Sequence, residues 1–184
     1  MHTSHAQVIQ LFDSQSSTYT YLVFDPDTLE AVIIDPVDDQ IARDQKLIQD
    51  KGLKVNWALE THAHADHITS AGLLAEHLGL KTAAPEGCHI GTASVQLVDG
   101  QMIAFGAFAL KALHTPGHTA GSMSFYVAAN DAGHVFTGDT LLIRGCGRTD
   151  FQSGSAADMY RSLTQVLFAL PDTTTVWPGH DYQG

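Results

Sequence analysis

Positive charge is scarce in this chain. Nine lysines and arginines stand against twenty aspartates and glutamates, a formal charge of −11 at pH 7, and such a surface repels nucleic-acid phosphates and anionic membranes alike. A nucleic-acid partner is therefore not expected. Cysteine is scarcer still: Cys88 and Cys146 are too few for a disulfide framework and suit a reducing compartment, although one bridge between them is left open. No window approaches the roughly 18 to 20 consecutive apolar residues of a membrane span, so no membrane partner is expected either. The opening Met1-His2-Thr3-Ser4-His5 has neither the basic region nor the apolar stretch of a secretory signal. The expected home is the cytoplasm, or the mitochondrial matrix for a processed eukaryotic chain. Linkers, low-complexity tracts and internal repeats are also missing, so the 184 residues, 44% hydrophobic, read as one domain spanning 1–184.

What is present alternates between strand and helix. Val8 to Phe12, Tyr19 to Phe24 and Ala31 to Asp35 are β-branched or aromatic runs separated by polar clusters, with Asp25-Pro26-Asp27 as a hairpin turn. Asp38 to Lys51, closed by Gly52, reads as a surface helix, Lys54 to Leu59 as a strand, and Ile68 to Leu78, closed by Gly79, as a second helix. Met102 to Leu113 reads as a hairpin, Ser122 to Ala128 and His134 to Thr137 as strands about a turn at Asn130 to Gly133, Ala156 to Ala169 as a helix and Thr174 to Trp177 as a strand. This order predicts an α/β domain with mixed sheets and helices outside. Trp57, Phe105, Phe108, Phe125, Phe136 and Trp177 fall in the strand-like runs and are expected in the core.

Histidine is in excess, with 11 residues against nine lysines and arginines. His2, His5, His77, His89 and His134 are scattered, as surface or packing residues would be. The others cluster. Thr61-His62-Ala63-His64-Ala65-Asp66-His67 stands between a strand and a helix and can aim four ligands at one point, the alanines leaving room for an ion. A polar loop with Asp66 capping the helix is the plainer reading. His118 in Pro116-Gly117-His118, Asp139 in Gly138-Asp139-Thr140 and His180 in Gly179-His180-Asp181 each follow a strand-like run, where functional groups of layered α/β proteins concentrate.

These motifs, His-x-His-x-Asp-His followed by separate His, Asp and His, resemble the metallo-β-lactamase fold superfamily over essentially the whole chain. The resemblance implies an αββα sandwich with two mixed sheets, outer helices and a metal site along one edge. Within it, Arg144-Gly145-Cys146-Gly147-Arg148-Thr149-Asp150-Phe151, together with Gly179-His180-Asp181-Tyr182, is similar to the persulfide dioxygenase family, close to glyoxalase II. That likeness implies one Fe(II) per chain on His62, His118 and Asp139, oxidising glutathione persulfide with O2 to sulfite and glutathione. His64, Asp66, His67 and His180 would then surround the iron ligands, or line a second metal position left vacant. A homodimer is also open. Members of the family continue beyond the matching His-Asp-Tyr motif, so a domain ending at Gly184 is expected to lack its C-terminal closing segment.

Two imidazoles and a carboxylate on one face of iron leave positions open for other ligands. The carboxylates of glutathione need cations, and Arg148 is the first candidate, a planar guanidinium that can hold a carboxylate bidentately; Tyr182 and Arg144 follow. Arg148 could instead pair with Asp150 or brace its loop. Cys146, between two glycines and near arginines, could react but has no required role in a dioxygenase, and Cys88 reads as inert. Two rival functions remain: a glyoxalase II-like hydroxyacylglutathione hydrolase using all seven ligands around two metals, and a non-catalytic metal-binding module of a sulfur-transfer protein.

Overall fold

Short-range turn chemistry and strand alternation account for the first half of the chain. The computed structural model describes residues 5–128 and 133–182. β1 (Gln7–Asp13), β2 (Thr18–Phe24) and β3 (Glu30–Ile34) are antiparallel neighbours. The Asp13 carboxylate accepts the Ser16 amide at 2.9 Å, closing the first turn, and the Asp25 carboxylate accepts the Asp27 amide at 2.9 Å in the second. The chain then crosses over through α1 (Ile41–Lys51), ended by Gly52 at φ 65°, to β4 (Lys54–Leu59), parallel to β3. A second crossover, α2 (Ala71–Leu78), leads to β5 (Lys81–Pro85), and β6 (Val95–Leu97) completes a mixed sheet in the order β1-β2-β3-β4-β5-β6.

The second sheet begins as a meander of β7 (Met102–Phe105), β8 (Phe108–His114), β9 (Met123–Val127) and β10 (His134–Gly138). After α3 (Ala156–Arg161), β11 (Thr175–Pro178) joins β10 in parallel and makes this sheet mixed as well. The turn expected at Asn130 to Gly133 lies outside the described residues except for Gly133.

Period two sorts the side chains between two cores. Tyr21, Val23, Val32, Ile34 and Leu59 of the first sheet face Phe105, Leu110, Ala112, Phe125 and Phe136 of the second. Their neighbours Leu22, Ala31, Ile33 and Ala58 point the other way, against Ile48 of α1 and Leu74 of α2. On the far side, Leu167 borders a groove with Val135 and Val176 of the second sheet. These layers make the αββα sandwich. Of the six aromatics expected in the core, Phe105, Phe125 and Phe136 are fully buried, and Trp57, Phe108 and Trp177 pack partly buried against them.

Three local differences have physical reasons. The second helix starts at Ala71 rather than Ile68, because the Ile68 carbonyl accepts the Asp38 amide at 2.8 Å and the Ser70 amide donates to the Pro36 carbonyl at 2.9 Å, holding residues 68–70 on the loop after β3. The last helix is α-helical only to Arg161; Ser162–Leu167 widens to a π turn, with the Ser162 hydroxyl bonded to the Pro116 carbonyl at 2.7 Å. β5 and β6 form where no strand is expected, one carrying two alanines and a proline, the other three residues long.

Candidate metal centre

The loops after β4, β8, β10 and β11 meet at one edge of the sandwich, and hydrogen bonds between the sheets fix them there. The Met123 amide donates to the Thr61 carbonyl and the Tyr19 amide to the Gly179 carbonyl, both at 2.8 Å, and the Tyr21 hydroxyl donates to the Pro178 carbonyl at 2.5 Å. Gly117 belongs to this bracing: at φ 146° its Cα lies against the backbone of Met159, where a Cβ would stand 2.4 Å from the Met159 Cα, and its carbonyl accepts the Ser155 amide at 2.8 Å. The Pro-Gly-His motif thus seats α3 on the loop that carries His118.

At this edge His62, His118 and Asp139, all buried, bring one ligand atom each within 4.8 Å of the others. His118 Nδ1 donates to the Arg148 carbonyl at 2.9 Å, which turns Nε2 toward Asp139 Oδ2, 3.5 Å away. Gly147 makes that approach possible, since a Cβ there would stand 2.4 Å from the Asp139 carbonyl oxygen and 2.9 Å from His118 Nδ1. Burial, reinforced by the surrounding histidines, holds His62 well below the ordinary imidazole range, so it is neutral and available as a ligand. Burial also raises the Asp139 carboxyl, against the pull of His180 and His118.

A second group, His64, Asp66 and His67, lies beside the first. His64 Nε2 sits 3.2 Å from Asp35 Oδ1 and 3.1 Å from Glu60 Oε2. Burial alone would lower His64, but these two carboxylates outweigh it and hold the imidazole well above its ordinary range. Asp66 Oδ2 is shared by His67 Nδ1 at 3.1 Å, the Thr18 hydroxyl at 3.3 Å and His180 Nε2 at 3.5 Å. His180 Nδ1 in turn donates to the Ser17 carbonyl at 3.1 Å. The three expected iron ligands and the four residues expected around them therefore converge.

Asp35, Glu60, Thr61 and Gly147 also build the site, and the sequence reading assigned them no part in it. Asp35 accepts the Thr61 amide at 2.7 Å and the Thr61 hydroxyl at 2.8 Å, while Glu60 also takes the Thr69 hydroxyl. The available signal was an acid directly after an apolar strand, at Ile34-Asp35 and Leu59-Glu60, where burial and hence a buried partner follow from position.

The donor set fits a metal ion. His64 Nδ1, His67 Nε2 and Asp139 Oδ1 are buried without a hydrogen-bond partner; His180 Nε2 is 3.3 Å from that oxygen but off hydrogen-bonding geometry. Orphaned buried polar atoms cost about 1 to 3 kcal/mol each, and three in one cluster mark a place where a cation supplies the missing contact, displacing the proton that Asp35 and Glu60 otherwise hold on His64.

A cavity of 430 Å³ opens on this edge, lined among others by His118, Asp139, Ile143, Cys146, Arg148 and Tyr182. Arg148 is exposed and bonded to Asp150 through Nε at 2.8 Å and NH2 at 3.2 Å. Arg144 is exposed and is not among the lining residues. Tyr182 stacks on His180 with centroids 5.0 Å apart, and burial pushes its phenol up to about 12, leaving a donor at neutral pH. Cys146 is free and exposed; Cys88 is free and half-buried, and burial raises its thiol.

The sequence matches the model of the Metallo-beta-lactamase superfamily over residues 14–87 and 89–180. It is 45% identical to the mitochondrial persulfide dioxygenase ETHE1 of Homo sapiens over 175 residues, 95% of this chain and 68% of that protein. A probable hydroxyacylglutathione hydrolase of Schizosaccharomyces pombe is 36% identical, again over 95% of this chain and 68% of the relative. The crystal structure of ETHE1 from Myxococcus xanthus superposes with a TM-score of 0.89 at 47% identity, covering 97% of this chain and 77% of that one.

Proposed function

The chain belongs to the metallo-beta-lactamase superfamily and, within it, to the persulfide dioxygenases, and from that membership we propose that it oxidises glutathione persulfide with O2 to sulfite and glutathione at one Fe(II) per chain. The observation that carries the site assignment is the buried His62–His118–Asp139 group opening on the 430 Å³ cavity, a volume within the range of small-molecule sites. Held by these two imidazoles and one carboxylate, ferrous iron supplies O2 chemistry and a coordination position for a persulfide sulfur.

The chain's own groups do the positioning. His118 presents Nε2 because its Nδ1 is committed to the Arg148 carbonyl, and His62 is kept neutral by burial. Leu142 and Ile143 give the cavity an apolar wall, and Tyr182 offers a hydroxyl donor to the substrate. Arg148 is assigned to a glutathione carboxylate, in exchange for its bond to Asp150. His64, Asp66, His67 and His180 orient the centre from outside the triad. The free cysteines fit a reducing compartment such as the cytoplasm. No helix of the described residues is long and apolar enough to cross a membrane.

The hydrolase reading draws on the same converging ligands, His64 Nδ1 and His67 Nε2 included. One assay separates the two. With glutathione persulfide, the iron-loaded protein is expected to consume O2 and release sulfite, with negligible cleavage of S-lactoylglutathione. Fast thioester cleavage without O2 uptake, on protein carrying two metals per chain, reverses the assignment.

A further inference from the structure

Two cavities reach the ligand cluster, share no lining residue, and differ in charge. The one described above meets His118, Asp139 and His180 and carries Arg148 on its rim. The other, 260 Å³ in volume, is lined by Asp13, Gln15, Ser16, Val37, Asp38, Asp39, Asp66, His67 and Ile68: four carboxylates and no lysine or arginine. It lies between the β1–β2 turn, the loop after β3 and the His67 segment.

Its acidic residues are not all consumed by the fold. Asp13 is held by Ser16 and Gln40. The side chains of Asp38 and Asp39, by contrast, take part in none of the hydrogen bonds or ion pairs among the described residues. A wall of four carboxylates, two of them without partners among the described residues, attracts cations and repels a substrate that carries carboxylates and a persulfide anion. The second observation is His67, a residue lining this cavity whose side chain is only 4% exposed. Its Nδ1 is committed to Asp66, while Nε2 is buried with no hydrogen-bond partner. An unbonded ring nitrogen thus belongs to a residue that lines the acidic cavity.

We propose that this acidic cavity binds hydrated divalent cations and is the loading entrance of the metal centre, so that metal and anionic substrate reach the centre by separate routes. The proposal rests on the reading of His62, His118 and Asp139 as metal ligands. An arriving cation is concentrated by Asp38 and Asp39 and passes Asp66 and His67 before it reaches the triad. Asp38 and Asp39 act on the rate of loading only, because they lie outside the cluster that retains the ion.

The test follows uptake of Co2+ by the metal-free full chain, read by its ligand-field absorbance in stopped flow. The double variant D38N/D39N is compared with wild type and with E76Q/D172N, which removes two exposed charges outside this cavity. At roughly 10 mM ionic strength D38N/D39N is expected to slow the bimolecular phase about tenfold, the difference shrinking to about twofold near 0.5 M salt as screening sets in. Final cobalt content is expected to stay at one ion per chain in all three proteins. Equal rates in D38N/D39N and E76Q/D172N, with wild-type content, overturn the entrance alone. Absence of cobalt from wild type overturns the metal reading and the entrance with it.

Discussion

His62, His118 and Asp139 are all buried; of His64, Asp66 and His67, all from the loop 61–67, the two imidazoles are buried as side chains and only the Asp66 side chain opens to solvent, and all three are engaged by neighbours. In the first group both imidazoles are anchored through Nδ1 by neutral oxygens, His62 by the Thr61 hydroxyl and His118 by the Arg148 carbonyl, each at 2.9 Å. In the second, Asp35 and Glu60 take His64 Nε2, and one oxygen of Asp66 serves Thr18, His67 and His180. The same residue types thus make one set anchored by neutral groups and another anchored by charged ones, although each keeps unbonded atoms, Asp139 Oδ1 in the first and His64 Nδ1 and His67 Nε2 in the second. Spacing along the sequence cannot distinguish them; what separates them is where the second nitrogen or oxygen of each side chain goes.

The widest break in that comparison comes from removing one ligand of each group. His118→Ala is expected to abolish both bound iron and turnover, because two protein ligands bind far more weakly than three. His67→Ala is expected to keep close to one iron per chain. Elemental analysis of anaerobically purified protein reads both, and iron loss of equal size in the two variants would erase the distinction between the groups.

A smaller break leaves every ligand in place. At Gly147 a new Cβ would fall 2.4 Å from the Asp139 carbonyl and 2.9 Å from His118 Nδ1, whereas at Gly145 it would meet nothing within 4 Å. Gly147→Ala is therefore expected to weaken metal binding by about ten- to a hundredfold, on the scale seen when outer-shell partners of ligands are lost. Gly145→Ala should leave metal affinity unchanged. Competition with a chelator measures both, and a normal Gly147→Ala affinity would mean that the loop yields without moving His118.

The second group is sharpened by pH in metal-free protein. Asp35 and Glu60 hold His64 well above its ordinary 6.5, so its contribution is complete below pH 6.5 and is lost as pH rises through the raised value. The depressed Asp35 contributes above its ordinary 3.8 and loses that only as pH falls. Glu60, raised by burial, contributes below its ordinary 4.5 and loses that as pH rises through its raised value. Thermal stability is expected to fall as pH rises above 6.5, and His64→Gln should flatten the slope. An unchanged slope in His64→Gln would move its origin elsewhere.

The alternation of strands and helices and the clustering of the candidate ligands were legible because both rest on local pattern; the αββα sandwich came with the family resemblance. Alternation in Thr18–Phe24 and Glu30–Ile34 declares two buried faces, and Gly52 and Gly79 mark the ends of two helices. β5 and β6 were not legible: Lys81–Pro85 owes its place to parallel pairing with β4, and Val95–Leu97 to pairing with β5, neither to propensity. The loss of the first turn of α2 depends on Asp38 and Pro36, about thirty residues upstream. At the site, histidines announce themselves by density, but Asp35 becomes a partner of His64 only when β3 and β4 lie side by side. Arg148 stood open between substrate contact and loop brace, since sequence places Asp150 within reach without saying whether the pair forms.

The smallest expected effect lies at that pair. Arg148 and Asp150 are joined by two hydrogen bonds, both side chains are exposed, and the guanidinium lies 5.4 Å from the centre of the Phe151 ring. An exposed ion pair of this kind adds little to the fold, and it is the Arg148 carbonyl rather than its side chain that holds His118. Arg148→Lys is thus expected to leave iron content and melting temperature unchanged while raising the KM for glutathione persulfide roughly two- to fivefold, because an ammonium lacks the planar fork. If the guanidinium holds a substrate carboxylate, Asp150 competes for its fork, and Asp150→Asn should shift KM the other way. Opposite shifts in the two variants place the guanidinium on the substrate. If both raise KM together and iron falls in each, the pair is a brace for the His118 loop, and substrate recognition passes to Tyr182 and the other groups lining the cavity.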